Sequence, residues 1–147
     1  IASIQERDQF WDMSLAFDGE GRILGLRGRL VHDQGAYTPQ GVNVAYNAAS
    51  SITGPYVIPS MDLEVFVVQT NKPPVVPIRG AGYPEAAFVM ERMVDRMAQH
   101  LGLDPAEARA RNLIPAAKMP YAKPLKNRAG AQLVIDSGDY ATCQRRG

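Results

Sequence analysis

The chain has 147 residues, with 16 Lys and Arg against 15 Asp and Glu and a formal net charge of +1. Hydrophobic residues make up 46% and charged residues 21%, which excludes global disorder, and the length suits one domain with a real core. The charge provides no basic field for nucleic acid, no apolar run reaches the ~18 residues of a membrane helix, and the single cysteine, Cys143, excludes an internal disulfide or a multi-cysteine metal site and points to a reducing compartment.

Residues 9–18 alternate Trp11, Met13, Leu15 and Phe17 with polar or small neighbours, a strand with one apolar face. Asp18-Gly19-Glu20-Gly21 reads as a turn. Residues 23–37 form the second strand of a long β-hairpin, with Leu24, Leu26, Gly28, Leu30 and His32 on one face. Gly25, Gly28 and Gly35 within it predict bulges or close backbone contact. Residues 42–53 are small and polar, a short helix ended by Gly54-Pro55. Residues 61–70 are a third strand, with Met61, Leu63, Val65 and Val67 on one face and Asp62 and Glu64 on the other, stopped by Pro73-Pro74.

The clearest helix places Ala86, Met90, Met93, Val94, Met97 and Leu101 at helical spacing, opposite Glu91, Arg92, Asp95, Arg96 and Gln99. Pro84 fits its first turn and Gly102 its C-terminal cap. Asp104, Pro105 and Glu107 then predict a capped short helix running to about Asn112. Residues 115–124 read as irregular. Asn127-Arg128-Ala129-Gly130 reads as a turn, residues 132–135 as a short strand, and Asp136-Ser137-Gly138-Asp139 as a helix start. The expected fold class is α+β: a long hairpin and a further strand packed with one long and one short helix. A start at Ile1 with no signal segment, and an end just inside a helix, predict a single fragment, 1–147, truncated at both ends. The apolar faces of the third strand and the long helix then predict an exposed patch and self-association of the fragment.

The main chemical candidate is Arg79-Gly80-Ala81-Gly82, between a strand and a helix. Two glycines let backbone N–H groups approach a ligand, the helix N-terminus favours anionic oxygens, and Arg79 adds a charged, bidentate donor. A glycine pair is a weak motif, and spacing alone favours a plain tight connector. A dinucleotide fingerprint fails, because Glu85 stands where the third glycine belongs. His32 and His100 have no second ligand at metal spacing. Asp62 and Glu64 fit a solvated face. Met90, Met93 and Met97 fit core packing. Ser50-Ser51 lacks the elbow of a serine hydrolase, and Cys143 is isolated.

Several segments together resemble one family. They are Arg-Gly-Ala-Gly-x-Pro-Glu-Ala (79–86), Val-Met-Glu-Arg-x-Val-Asp (89–95), and Gly-Leu-Asp-Pro-Ala-Glu-x-Arg-x-x-Asn-Leu-Ile (102–114). Gln5-Glu6-Arg7-Asp8-Gln9-Phe10-Trp11, Asp33-Gln34-Gly35-Ala36-Tyr37, Tyr56-Val57-Ile58-Pro59 and Asp136-Ser137-Gly138-Asp139 agree. Over essentially all 147 residues the chain resembles the molybdenum-binding large subunit of the xanthine dehydrogenase and aldehyde oxidase family, nearest the bacterial members grouped with aerobic carbon monoxide dehydrogenase. The resemblance implies part of a larger molybdopterin-binding domain in a bacterial, cytoplasmic oxidoreductase. Such enzymes hydroxylate an aldehyde or N-heterocycle with oxygen from water.

It also implies a molybdenum–molybdopterin cofactor, usually the cytosine dinucleotide form, with iron–sulfur clusters and FAD on partner subunits or domains. No cofactor is expected in the isolated fragment. Arg79, Gly80, Ala81 and Gly82 match the family's loop beside the cofactor. Carbon monoxide dehydrogenases proper carry a copper-holding cysteine in that loop, and Ala81 and Gly82 offer none. Counting back from Tyr56 places Asn47 where xanthine-using members have a substrate arginine, which argues against a purine dione and puts Asn47 on the substrate side. The family's base glutamate falls beyond Gly147, so the fragment holds no catalytic residue. The alternative is a non-catalytic scaffold segment packing between cofactor-binding parts.

Overall fold

A computed structural model describes residues 8–127 and 129–147. Gln5, Glu6 and Arg7 of the resembling N-terminal segment, and Arg128 of the turn, lie outside the described residues. The order is β1 (Gln9–Phe17), β2 (Ile23–Gly35), α1 (Asn43–Ser51), β3 (Met61–Gln69), α2 (Tyr83–Leu101), α3 (Pro105–Ala110), a 3-10 turn (Ala116–Lys118), β4 (Tyr121–Lys126), β5 (Gln132–Ile135) and α4 (Tyr140–Arg146).

The predicted hairpin is present: β1 pairs antiparallel with β2, from Gln9 opposite His32 to Phe17 opposite Ile23. One residue is extra on β2 near the turn. Ala16 faces Gly25 and Phe17 faces Ile23, so Leu24 is bulged out of register. This corrects the expected face: Ile23 is buried beside Leu26 and Leu30, while Leu24 is 53% exposed. β3 then pairs parallel with β2, Leu26 opposite Met61 through Gly35 opposite Gln69. A parallel partner needs a long crossover, which residues 36–60 and α1 supply.

The sheet order is β1-β2-β3, so β3 is an edge. Its expected alternation holds only for Met61 and Leu63, which pack on the core; from Val65 onward both faces are exposed. The core lies between the sheet and α2, where Ile23, Leu26, Ile52, Tyr56 and Ile58 meet Ala86, Met90, Val94, Met97 and Ala98. The helix's predicted apolar face is therefore mostly covered within the chain. Met90 and Met97 are buried as expected, and Met93 is half-buried.

The capping signals work as read. Gly102 closes α2 at φ +67, with its N–H donating back to the last turn. The Asp104 carboxylate accepts the Ala106 and Glu107 N–H groups at 2.8 and 3.0 Å. Asp139 caps α4 through Thr142 N–H. Asn112, 4% exposed, locks α3 to the hairpin: its carboxamide accepts Ile23 N–H at 2.8 Å and donates to Gly21 O and Ala108 O. Tyr56-Val57 is fastened to the same place by Val57 N–H to Asn112 O.

Residues 115–120 are irregular as expected, apart from the 3-10 turn, but the rest of the stretch is not. Tyr121–Lys126 is a strand whose burial alternates, paired antiparallel with β5. The pairing skips between Ala122 and Lys126, around Pro124, which has no N–H to give. That proline hid the alternation from the sequence reading. Asn127 closes the hairpin, its side chain accepting Ala129 and Ala131 N–H groups.

Candidate functional site

β3 delivers the chain into residues 70–78, which run against the end of β2 before reaching Arg79-Gly80-Ala81-Gly82 at the N-terminus of the 19-residue α2. Three successive residues of this loop have positive φ: Gly80 at +101°, Ala81 at +38° and Gly82 at +98°. Such a run is closed to most side chains, and Ala81 is the one non-glycine residue with positive φ among the described residues. The Ala81 N–H donates to Ile78 O at 2.8 Å, and the Tyr83 N–H to Gly80 O at 2.9 Å. These two donors are used in holding the loop's shape. Among the described residues, no hydrogen bond takes up the N–H of Gly80 or Gly82. Arg79 is exposed.

Gly82 answers a packing demand. A Cβ built on it would sit 2.3 Å from Val44 O, 2.7 Å from Ala48 N and 3.2 Å from the Asn47 Cβ. The backbone of α1 thus lies directly on the loop. Two predicted site positions, Asn47 and Gly82, are thereby brought together, although they stand 35 residues apart in the chain. Asn47 is half-buried, its carbonyl takes the Ser50 and Ser51 hydroxyls, and among the described residues nothing hydrogen-bonds its carboxamide. The serines turn back on their own helix, as expected for residues outside a hydrolase elbow.

Beside the last turn of α1 lies a groove of about 200 Å³ lined by Ser50, Ser51, Tyr83, Lys123 and the β5 residues Leu133–Ile135. Lys123 donates to Gly54 O at 2.7 Å, and its burial lowers its pKa from the ordinary lysine value. Sequence reasoning placed β5 but missed β4, and with it Lys123 on this wall; the usable signal was the alternation of Tyr121, Lys123 and Leu125. A larger groove, about 630 Å³, lies between β1 and α2 and is lined by Trp11, Met13, Phe88, Met93 and Arg96. It does not include Arg79–Gly82.

Behind the loop, His32, Asp33 and Gln34 are buried at the end of β2. Burial holds the His32 imidazole below its ordinary pKa, against the pull of Gln34, Asp33, Glu85 and Asp8. Asp33 is driven down to about 2, first by its hydrogen bond with Lys72 and then by Thr70. His100 lies far from these groups on the helix end, edge-on to Phe17. Glu64 is exposed and pairs with Arg29 at 2.9 Å. Cys143 is exposed. Among the described residues, no three of His, Cys, Asp and Glu gather where they could hold a metal ion.

The donor set at the loop, a guanidinium with two amide N–H groups at a helix N-terminus, suits an anionic, oxygen-rich group. Residues 1–113 match the family model of the molybdopterin cofactor-binding domain. The chain belongs to that family. It is 37% identical over 116 residues to the 6-hydroxypseudooxynicotine dehydrogenase complex subunit gamma of Paenarthrobacter nicotinovorans, covering 78% of this chain and 15% of that protein. It is 36% identical over 148 residues to the carbon monoxide dehydrogenase large chain of Hydrogenophaga pseudoflava, covering 95% of this chain and 17% of that one.

The crystal structure of quinoline 2-oxidoreductase from Pseudomonas putida 86 superposes with a TM-score of 0.87 at 33% identity, covering 99% of this chain and 18% of that chain. The molybdopterin-binding family expected from the resembling segments, and the α+β fold expected from the pattern of strands and helices, are thus both shown. The chain spans less than a fifth of the length of these relatives. No helix among the described residues is long and apolar enough to cross a membrane.

Proposed function

We propose that this chain contributes the cofactor-side loop of a molybdenum hydroxylase large subunit, an oxidoreductase acting on an aldehyde or N-heterocycle with water as the oxygen source. The observation that carries the reading is the positive-φ run Gly80-Ala81-Gly82 beside Arg79, in a chain of the molybdopterin-binding family. When bound, a molybdenum–molybdopterin supplies the two-electron redox chemistry, and electrons leave through iron–sulfur clusters and FAD on partner subunits or domains. A cytosine dinucleotide form of the pterin fits a bacterial cytoplasmic enzyme.

Arg79 holds a fixed positive charge toward anionic oxygens of the cofactor. The Gly80 and Gly82 N–H groups add neutral donors, and the dipole of α2 reinforces both. Asn47, held against Gly82 by α1, offers an uncharged amide donor and acceptor on the substrate side, which suits a small neutral heterocycle or aldehyde better than an anion. The catalytic base is supplied from outside this chain.

One observation favours a structural reading of the same loop: Gly82 is required by α1, and two loop N–H groups are held in turns. Substitution in the full-length protein separates the two. Arg79→Ala should lower molybdenum content or turnover at least about tenfold, since a charge-assisted hydrogen bond contributes roughly 1.5–3 kcal/mol, and Arg79→Lys should restore only part. Arg92, exposed and paired with Asp95 at 2.8 Å, is the matched control. If Arg79→Ala behaves like Arg92→Ala, the loop is a connector and the scaffold reading stands.

A further inference from the structure

The chain between β3 and the loop contains Pro73 and Pro74, which have no N–H to donate. Its attachment therefore falls on the residues around them, and these converge on residues 33–36 at the end of β2. Asp33 accepts the Thr70 hydroxyl at 2.6 Å and pairs with Lys72 at 2.9 Å. Thr70 N–H donates to Gly35 O at 3.1 Å, Ala36 N–H to Lys72 O at 2.9 Å, and Val75 N–H to Gln34 O at 3.0 Å. The Gln34 carboxamide adds a bond from Nε2 to Val75 O at 2.8 Å. Gln34 is 2% exposed and Val75 1%, so water is no alternative partner for either. Gly35 permits the close approach, since a Cβ there would lie 2.2 Å from Pro73 O.

Gln34 thus grips Val75 at two points, four residues before Arg79. On the other side of the loop, Gly82 is pinned on α1. The tip Arg79-Gly80-Ala81 lies between these two anchors along the chain, shaped by its own turn bonds from Ala81 N–H to Ile78 O and from Tyr83 N–H to Gly80 O. We propose that Gln34 is a positioning residue for this loop: by fixing Val75, its side chain sets where Arg79 and the Gly80 N–H are presented to an anionic, oxygen-rich ligand. This rests on the cofactor-side reading of the loop given above.

The test uses the full-length protein. Gln34→Met keeps the length and removes the donor; Gln34→Asn is one methylene shorter, falls out of reach of Val75 O, and serves should the methionine variant not fold. Tyr56→Phe removes one partly buried hydrogen bond, Tyr56 Oη to Glu91 at 2.7 Å, and controls for lost stability alone. Hydrogen exchange at the Ala81 and Tyr83 N–H groups reads the order of the loop without any need for activity. Gln34→Met should speed that exchange about fivefold or more, the equilibrium weight of one buried hydrogen bond, and lower the molybdenum content of folded protein. Tyr56→Phe should do neither. With Arg79→Ala already present, Gln34→Met should lower molybdenum by clearly less than it does alone, because only the Gly80 N–H is left to misplace.

Unchanged exchange in both Gln34 variants overturns the proposal. So does a fall in molybdenum that adds fully to that of Arg79→Ala, which would assign Gln34 to general stability. If exchange rises while Arg79→Ala leaves molybdenum intact, Gln34 positions the loop and it is the cofactor reading that fails.

Discussion

Replacing Gly82 with alanine tests whether α1 and the loop form one unit. The substituted residue must hold φ +98°, which costs an L-residue about 1–2 kcal/mol. Its Cβ would meet Val44 O at 2.3 Å and Ala48 N at 2.7 Å. Both are backbone atoms inside α1, so neither can rotate away, and relief requires moving the helix or the loop; overpacking of this kind adds about 1–3 kcal/mol. Gly41→Ala is the reference, since Gly41 has φ +66° and nothing within 4 Å of an added Cβ. It carries the backbone term without the contact. Urea denaturation of both variants at matched slope should therefore place Gly82→Ala about 1–3 kcal/mol below Gly41→Ala. Equal losses would refute the close contact between α1 and the loop, and with it the placing of Asn47 at the site.

Asp33 titrates at about 2 instead of 3.8, chiefly through its hydrogen bond with Lys72; because the folded value is the lower one, its contribution is complete above pH 3.8 and is lost as pH falls from there toward 2. Acid denaturation should show wild type losing stability across that window and Asp33→Asn losing less, and parallel curves would contradict the assignment. On β3, Val65, Phe66, Val67 and Val68 are 37–46% exposed along a sheet edge, so the 147-residue chain alone should self-associate and Phe66→Lys with Val68→Lys should return it to monomer. Sedimentation showing a monomer for the unsubstituted chain at high concentration would count against this.

The elements that announced themselves in the sequence are those with one dominant cause. Alternation in residues 9–17, the proline at the head of α2, Asp104 as a cap and Asp136-Ser137-Gly138-Asp139 as a helix start each act locally, and each element formed where its signal stood. The misreadings come from effects that local pattern does not encode. The bulge at Leu24 trades one buried leucine for Ile23 and follows from register with β1. Pro124 conceals a strand because the ladder tolerates it by skipping a pair. The exposure of β3 from Val65 onward depends on what packs against the sheet there, which the strand's own alternation does not encode.

For the site, Arg79-Gly80-Ala81-Gly82 was visible as a loop of unusual freedom, but Gly82 was read as a ligand glycine when its first duty is to admit α1. The Gln34–Val75 clamp spans 41 residues. Its trace in the sequence was indirect: a glycine at 35, read as a bulge or a place of close backbone contact, with nothing to say which segment approaches it.

A structure of the full-length protein with its cofactor bound tests the cofactor-side role of the loop at the atoms concerned. Anionic or polar oxygens of the molybdopterin group should lie within hydrogen-bonding distance of the Arg79 guanidinium and of the Gly80 or Gly82 N–H, with Asn47 facing the open side. A cofactor seated elsewhere, with Arg79–Gly82 in contact only with protein, would contradict it.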